Sequence, residues 1–331
     1  MTKERNIFEI LSVLDRKNRP MTSREITEEL HRIGINITER RVRHYLESLD
    51  DMDFTESLGR VGRQITDLGR GELKKTYIRG RADFILDRIV RIITETRFDV
   101  YRKRGNVVVN LSFIREDREQ KVREILEEIC TRSSLAPPFI KIAYPGEKLC
   151  NREIPEGKIG LATISSVTIE EILLNERIYV NPLYGGLVEF INHKPVRFTE
   201  LISYSGSSID PLDLFISRKM SRVYDAVMKD YGSIPADYRE IPYTARDRAI
   251  DLLREAVDVF GGLIVVGRTG VDVLGLNTKE GYTGIVGFGG ELLLSALEEC
   301  NIRTNTNTVD TTIDFKELEL ISEVKGEVLL E

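Results

Sequence analysis

The sequence predicts a multi-domain protein in which an N-terminal winged helix-turn-helix is followed by a larger α/β (α+β) domain. Three helical patterns and one glycine-punctuated hairpin pattern occupy residues 1–80. After residue 80, β-branched runs alternate with helical patterns, which is typical of a domain that packs helices on sheets. The 331 residues are also enough for two or more domains, since roughly 150 residues per domain is usual. We therefore predict domains at 1–80 and 81–331.

The three N-terminal helices are predicted from apolar spacing and capping residues. Residues 3–16 carry apolar side chains at helical spacing. Thr22 and Glu25 have the spacing of a capping box, which predicts a second helix as far as Leu30. Thr38 is placed to cap a third helix. That helix carries one apolar stripe: Val42, Tyr45, Leu46 and Leu49.

A basic hairpin is predicted after the third helix. Residues 54–65 alternate loosely between apolar and polar, and two glycines flank Arg60. Residues 66–73 resemble the segment that closes many winged-helix repressors. In such a unit the third helix meets base edges in the major groove and the wing reaches phosphates or the minor groove. The predicted DNA-binding residues are therefore Arg40, Arg41, Arg43, His44, Arg60 and Arg63.

Charge is divided unevenly along the chain. The net charge is −6, which argues against a protein that coats nucleic acid along its whole length. Residues 1–80 hold 16 basic and 14 acidic side chains, whereas the remainder holds 32 and 40. A single arginine on a helix is usually only solvated, but a set of arginines on this motif favours DNA binding. Any nucleic-acid contact should therefore lie before residue 80.

The composition also indicates the cellular compartment and the redox state of the cysteines. No apolar run approaches the roughly 20 residues of a membrane span, and the first residues lack the apolar core of a signal peptide. Cys130, Cys150 and Cys300 lie too far apart for a zinc-binding pair or a disulfide framework. We expect a soluble cytoplasmic protein with reduced thiols and no metal site.

The elements of the larger domain are predicted from periodicity. Residues 83–95 form an apolar stripe, as a linking helix or a dimer face would. Two Gly-Gly passages, 184–187 and 288–291, hint at duplicated halves. The remaining predicted strands are 107–114, 139–143, 158–167, 177–180 and 263–266, and the remaining predicted helices are 120–130, 214–230 and 245–260.

No catalytic motif emerges from the sequence. It has no phosphate-binding loop, no HExxH metal motif and no GxSxG elbow, and the glycines near 287–290 lack the spacing of a dinucleotide fingerprint. We therefore expect neither an enzyme nor a cofactor. Catalysis by residues brought together from distant positions stays open as an alternative.

Loops of small residues offer a place for an anion instead. Backbone N–H groups in such loops can converge on a carboxylate, and arginines can add bidentate contacts. The sequence favours a polar turn over a reactive hydroxyl site for the serine-rich loop, because the loop precedes an Asp-Pro pair. The candidate residues are Gly185, Gly186, Ser205, Gly206, Ser207 and Ser208, with Arg197, Arg239 or Arg246 as the cation.

Four stretches in the larger domain resemble, in their order, the NrpR family of archaeal repressors of nitrogen-assimilation genes. They are residues 160–169, 182–187, 197–212 and 234–242. The resemblance extends over nearly the whole chain and implies a winged helix followed by one copy of the regulatory domain.

The resemblance implies a dimeric repressor that binds palindromic operator DNA and is released by 2-oxoglutarate. Relatives tend to carry cysteine where this chain has Ser165, so Ser165 joins the candidate effector residues. They also tend to carry Gly-Gly-x-Asn-Pro at residues 289–293, where Glu291 places a negative charge near an anionic ligand. An alternative is therefore an adaptor that binds DNA and relies on a second NrpR-type regulator for sensing.

Overall fold

The computed structural model describes residues 3–71, 73, 84–207 and 209–331. The contacts divide the chain into two compact units, Met1–Ala82 and Asp83–Glu331.

The N-terminal unit begins with three helices around one apolar core. They are α1 (Lys3–Lys17), α2 (Ser23–Arg32) and α3 (Glu39–Asp51). Thr22 and Glu25 form the predicted capping box, in which the Glu25 carboxylate accepts from the Thr22 backbone N–H at 2.8 Å. Thr38 occupies the predicted cap position of α3, but its side chain makes no capping hydrogen bond. The core contains Ile10, Leu14, Ile26, Leu30, Val42, Leu46 and Leu49.

The predicted wing follows α3 as a short antiparallel hairpin. Strands β1 (Thr55–Ser57) and β2 (Arg63–Ile65) pair with each other, and the tip is a single 3-10 turn. Gly62 has a φ of +118°, and a Cβ there would lie 2.3 Å from the carbonyl of Met21. Glycine is required at this position because β2 also pairs with Met21. The winged helix-turn-helix prediction is confirmed.

The larger unit contains two large sheets and seven described helices. The strands are β3 (Phe98–Asp99), β4 (Arg104–Arg115), β5 (Phe139–Ala143), β6 (Lys148–Leu149), β7 (Arg152–Glu153), β8 (Lys158–Ile164), β9 (Asn181–Ile191), β10 (Lys194–Ser203), β11 (Tyr231–Pro242), β12 (Gly262–Val266), β13 (Tyr282–Gly287), β14 (Asn305–Asp314), β15 (Glu319–Leu320) and β16 (Gly326–Leu330). The helices are α4 (Phe84–Glu95), α5 (Glu119–Arg132), α6 (Thr168–Asn175), α7 (Pro211–Ser217), α8 (Val223–Met228), α9 (Arg246–Phe260) and α10 (Glu291–Glu299).

The two sheets contain the same structural repeat. One sheet has the order β14-β4-β8-β5-β15, and the other has the order β10-β9-β11-β13-β12-β16. In the first, the order along the chain is β4, α5, β5, β8 and α6, with the hairpin of β6 and β7 inserted before β8. In the second, the order is β11, α9, β12, β13 and α10. In both, the third strand of the repeat lies between the first and the second. The larger unit therefore has duplicated halves.

The Gly-Gly passages suggested duplication but did not mark equivalent positions. Residues 184–187 lie within β9, whereas residues 288–291 join β13 to α10. The segment equivalent to residues 288–290 is 165–167, which joins β8 to α6. Serine and glycine both fit a tight turn. The equivalent turn of the first half therefore lacks a Gly-Gly pair, and the match between the two Gly-Gly passages compared positions that are not equivalent.

Each helix pair joins one half of the larger unit to the other. Helix α5 packs against α10, and α6 packs against α9. Alternate side chains of β8 enter different cores, since Leu161 belongs to one apolar cluster and Ala162 to the other. Both faces of β8 are therefore buried.

Three of the predicted elements of this unit were wrong. The strand predicted at 158–167 ends at Ile164, because Ser165 to Val167 turn the chain into α6. Residues 177–180 form no strand, since Arg177 has a φ of +61° and the next strand begins at Asn181. The helix predicted at 214–230 is two helices, α7 and α8, which are separated near Lys219 with a φ of +53°.

No helix in the described ranges is long and apolar enough to cross a membrane.

Candidate functional site

The exposed face of α3 carries the predicted recognition residues. Arg40, Arg41, Arg43 and His44 are exposed, whereas Val42 between them is completely buried. The four exposed side chains, together with those of Thr38 and Glu47, line one open depression. The helical period therefore places a basic surface at the N-terminal end of α3.

Ion pairing differs among the arginines of α3. Arg43 lies 2.7 Å from Glu39, which also accepts a hydrogen bond from the Ser23 hydroxyl. Hydrogen bonds from Ser23 and Arg43 lower the pKa of Glu39. Arg40 and Arg41 form no ion pair with the described residues. These two side chains can therefore approach an anion without first breaking a pair.

Of the two predicted wing arginines, the structure describes the side chain of Arg63 but not that of Arg60. Arg63 Nε lies 2.6 Å from Asp50 at the end of α3, and both side chains are about three-quarters buried. Asp50 also accepts from the Thr55 hydroxyl. Arg63 thus joins the wing to α3 and is not oriented toward solvent as a free phosphate contact. The side chain of Arg60 lies outside the described residues, although its backbone belongs to the tip turn.

A buried polar cluster lies at the centre of the larger unit. Its members come from five segments of the chain and are each no more than 5% exposed. We name this the central cluster: Ser165, Ser166, Glu170, Tyr204, Asp237, Arg239 and Glu291.

Hydroxyl groups connect two carboxylates of the central cluster. The Ser165 hydroxyl donates to Glu291 Oε1 at 2.7 Å, and the Ser166 backbone N–H donates to the same oxygen at 3.3 Å. The hydroxyls of Ser166 and Tyr204 both donate to Asp237. The loop between β8 and α6 is therefore bound to β11 and α10 through these carboxylates.

Arg239 is the cation of the central cluster. Its Nε lies 3.0 Å from Glu170 and its Nη2 lies 3.4 Å from Asp237. Its Nη1 donates to the carbonyl of Ser166 at 3.2 Å. With Glu291, the central cluster thus combines one guanidinium with three carboxyl groups.

The central cluster forms where the equivalent loops of the two halves cross. The Gly290 N–H donates to the carbonyl of Ile164 at 2.7 Å. A Cβ on Gly289 would lie 2.4 Å from the Ser166 nitrogen. Glycine is needed here because the two backbones approach too closely for a side chain.

Burial makes the two glutamates of the central cluster hard to ionise. It raises the pKa of Glu170 to about 7, although the charge of Arg239 opposes this shift. Burial, followed by the charge of Asp237, raises the pKa of Glu291 to about 7. The second carboxylate oxygen of each glutamate has no hydrogen-bond partner among the described residues. Protons can therefore be taken up here near neutral pH.

Three of the predicted effector residues lie in or beside the central cluster. Ser165 and Arg239 belong to it. Gly185 pairs with Asp237 across β9 and β11, and a Cβ on Gly185 would lie 3.3 Å from the Tyr204 hydroxyl. Gly186, the next residue along β9, is not one of the three: it pairs with Ala236, and a Cβ there would lie 2.8 Å from the Phe198 side chain.

The other predicted effector residues lie elsewhere. Arg197 is exposed and lies 3.0 Å from Glu189. Arg246 donates to the carbonyl of Gly267 at 2.9 Å. Ser205 and Gly206 are exposed and Ser207 is half-buried in the loop after Tyr204, while Ser208 lies outside the described residues. The structure therefore does not bring all the predicted residues into one pocket.

The sequence interpretation missed Glu170, Asp237 and Tyr204. The alternation of Asp237 and Arg239 in a strand that is otherwise buried was the available signal, because alternate residues share one face of a strand. Glu170 and Tyr204 gave no comparable signal, since each reaches the cluster from a separate element.

These observations define a winged-helix regulator with a duplicated α+β domain. Among the described residues, no group of three or more His, Cys, Asp or Glu side chains could hold a metal ion. Residues 82–320 match the family model described as NrpR regulatory domains NRD1 and 2. Residues 8–73 match the ribonuclease R winged-helix domain. The chain belongs to the NrpR family of nitrogen regulators, as the sequence resemblance predicted.

Curated relatives agree with this assignment. The chain is 35% identical to the global nitrogen regulator NrpRI of Methanosarcina mazei, with 96% of this chain and 98% of the relative covered. It is 27% identical to the global nitrogen regulator NrpR of Methanococcus maripaludis, over 94% of this chain and 54% of that protein. Identity to the NrpR of Methanocaldococcus jannaschii is 30%, over 90% and 52%. The chain spans about half the length of the latter two relatives.

A solved structure shows the same fold. A nitrogen repressor-like protein from Methanococcus jannaschii superposes with a TM-score of 0.60 at 24% identity, covering 72% of this chain and 98% of that chain.

Arg63→Gln should lower the stability of the N-terminal unit by about 1 kcal/mol, because the partly buried Asp50 loses its cation. Asp50→Asn should have a similar effect, and the double variant should be no worse than either single variant. The free energy of unfolding is compared among wild type, the two single variants and the double variant, all as full chains. Hydrogen exchange of the α3 amides, followed as the temperature rises, reports the unfolding of the N-terminal unit in this double-mutant cycle. Additive losses in the double variant would contradict the pairing.

Glu291→Gln should stabilise the larger unit increasingly as the pH rises. The pKa of Glu291 rises from its ordinary value of 4.5 to about 7 on folding. The stability that the protonated group contributes is therefore fully present below 4.5 and is lost as the pH rises through 7. The difference in unfolding free energy between variant and wild type should grow by about 1–3 kcal/mol between pH 5 and pH 8. Calorimetric melting measures it.

The matched control is Glu156→Gln, because Glu156 is exposed. It should leave the pH dependence unchanged. A Glu291→Gln variant whose unfolding free energy follows the wild-type pH profile in parallel would show that folding does not raise the pKa of Glu291.

Proposed function

We propose that this chain is a homodimeric transcriptional repressor of nitrogen-assimilation genes, which binds palindromic operator DNA and is released by 2-oxoglutarate. The observation that carries the proposal is the exposed basic face of α3 within a winged helix of an NrpR-family chain. We further propose that it acts in the cytoplasm, without catalysis and without a bound cofactor.

The exposed side chains of α3 support readout of double-stranded DNA. Arg40 and Arg41 lie at the N-terminal end of α3, the end of a recognition helix that meets base edges in the major groove. Arginine can contact guanine through two hydrogen bonds, and His44 lies one turn further along the helix. Arg43 is paired with Glu39, so it contributes most if DNA phosphate replaces that carboxylate.

A dimer is supported by the size of the recognition surface. One recognition helix reads only a few base pairs, which is too little for a specific operator. Two copies related by a two-fold axis would read equivalent half-sites about one helical turn apart, or a small multiple of that distance.

An anionic effector that binds beside the central cluster must overcome the negative charge of its carboxylates. Three carboxylates against one guanidinium disfavour a dianion unless protons are taken up. The adjacent cavity, lined by Ser165, Ser166 and Gly289 among others, has a volume of only about 30 Å³. An effector at this site therefore needs both proton uptake by the glutamates and separation of the crossed loops.

One observation favours an adaptor as the second candidate function. Glu291 accepts hydrogen bonds from the very loop that contains Ser165, so the carboxylate occupies the place where an effector carboxylate would be bound. In that case the chain binds DNA but relies on a second NrpR-type regulator for sensing.

Replacing Arg40, Arg41 and Arg43 together by Ala should weaken operator binding at least a hundredfold and leave the fold intact. The slope of log affinity against log salt concentration should also fall by about 0.9 for each phosphate that the variant no longer neutralises. Fluorescence anisotropy with an operator duplex at several salt concentrations measures both. The charge-matched control is Ala at Arg132, Arg248 and Arg254, which are exposed on helices of the larger unit. Equal losses in the two triple variants would reject α3 as the reader.

2-Oxoglutarate should bind roughly tenfold more tightly at pH 6.5 than at pH 8, with uptake of about one proton per ligand. Titration calorimetry in two buffers of different ionisation enthalpy measures the affinity and the protons, with glutamate and glutamine as ligand controls. Glu291→Gln should strengthen binding at pH 8 and reduce the proton uptake. Absence of binding to this chain, together with co-purification of a larger NrpR protein that does bind, would favour the adaptor.

A further inference from the structure

Helix α4 rests on the central cluster through a small apolar contact. Its buried side chains are Ile85, Ile89, Ile92 and Ile93. They pack with only three other fully buried apolar side chains of the described chain: Val108, Val167 and Tyr204. α4 begins the larger unit and so follows the DNA-binding unit along the chain.

Of the three residues beneath α4, Tyr204 belongs to the central cluster, and the backbones of Val108 and Val167 adjoin Ser165 and Ser166. The Val108 carbonyl accepts from the Ser165 N–H at 2.9 Å. Val167 follows Ser166, whose hydroxyl donates to Asp237. The Tyr204 hydroxyl donates to the other oxygen of Asp237.

Helix α6 ties the far end of α4 to the same region. The Phe98 N–H, just after α4, donates to Glu171 at 2.7 Å. Glu171 follows Glu170 of the central cluster in α6, and α4 also packs against α6. The position of α4 therefore depends on the segment from Ser165 to Glu171 and on Tyr204, as well as on strand β14, against which α4 also packs.

Among the described side chains of this contact, Tyr204 alone combines an apolar ring with a polar group. Its ring packs in the layer beneath α4, and its hydroxyl reaches Asp237 beyond that layer. A rigid ring with one buried hydrogen bond has little freedom, so a displacement of Asp237 moves the ring.

We propose that Tyr204 is the positioning residue that couples the central cluster to helix α4, and through that helix to DNA binding. The coupling to an effector rests on the proposed function, whereas the positioning of α4 does not. An effector that separates the crossed loops or draws a proton to the cluster shifts Asp237 and Ser166, and the packing beneath α4 changes with them. This gives the effector a differential affinity for two arrangements of α4, which any allosteric effect requires.

The test is Tyr204→Phe, which keeps the ring and removes only the hydroxyl. In full-length protein it should retain operator affinity when no effector is present. Its 2-oxoglutarate affinity is measured first by titration calorimetry, so that the effector can be added at saturation to variant and wild type alike. The loss of operator affinity caused by 2-oxoglutarate should fall from about tenfold or more to less than threefold. A purely structural defect would lower both affinities and would not remove the response alone.

The matched control is Tyr224→Phe, because the Tyr224 hydroxyl donates to Glu128 at 2.8 Å in a different part of the unit. It should respond to 2-oxoglutarate as wild type does. A Tyr204→Phe variant with the full effector response overturns the coupling.

Hydrogen exchange separates this proposal from the proposed function. Without any ligand, amides of residues 89–95 should exchange at least several-fold faster in Tyr204→Phe than in wild type or Tyr224→Phe. If wild type does not respond to 2-oxoglutarate, the effector proposal fails, but faster exchange in α4 still supports the positioning role. Unchanged exchange in α4 overturns that role.

Discussion

The close crossing of two equivalent backbone loops is the constraint on which the larger unit depends. Each half turns from its third strand into its second helix, at residues 165–167 in one and at residues 288–290 in the other. The loops approach so closely that Gly290 hydrogen-bonds to Ile164 and no side chain fits on Gly289. Because both helices begin at this point, the side chains of their first turns are forced into the same interior volume.

That geometry explains why charged groups are buried at the centre. Glu291 opens α10 and Glu170 lies in the first turn of α6, while Asp237 and Arg239 face them from β11. A buried ion pair is seldom more stabilising than packed apolar side chains, but one missing partner is costly. Such a cluster therefore responds strongly to a proton or a ligand. The apolar layer beneath α4 is the surface whose packing changes when the central cluster shifts.

Local sequence patterns predicted much of the fold. The capping box at Thr22, the stripe of α3 and the helix of residues 246–260 depend on neighbours within a few positions, so spacing and caps revealed them. Patterns failed where the chain is buried on both faces. The segment 158–167 reads as one apolar run, although its last three residues turn into a helix. The candidate site was found only in part, since Glu170, Asp237 and Tyr204 come from three separate elements.

The amino-acid sequence was sufficient to predict a winged helix with an arginine-rich third helix, the uneven division of charge and the family. These properties depend on periodicity, composition and short motifs, all of which are local. Only the tertiary structure pairs Arg63 with Asp50 and Ser165 with Glu291. It also places Arg197 and Arg239 at separate sites. These partners lie from 13 to 126 residues apart, and residue types alone do not specify which distant groups will meet. The pairing of charges, and so the chemistry of the central cluster, follows from how the duplicated halves cross.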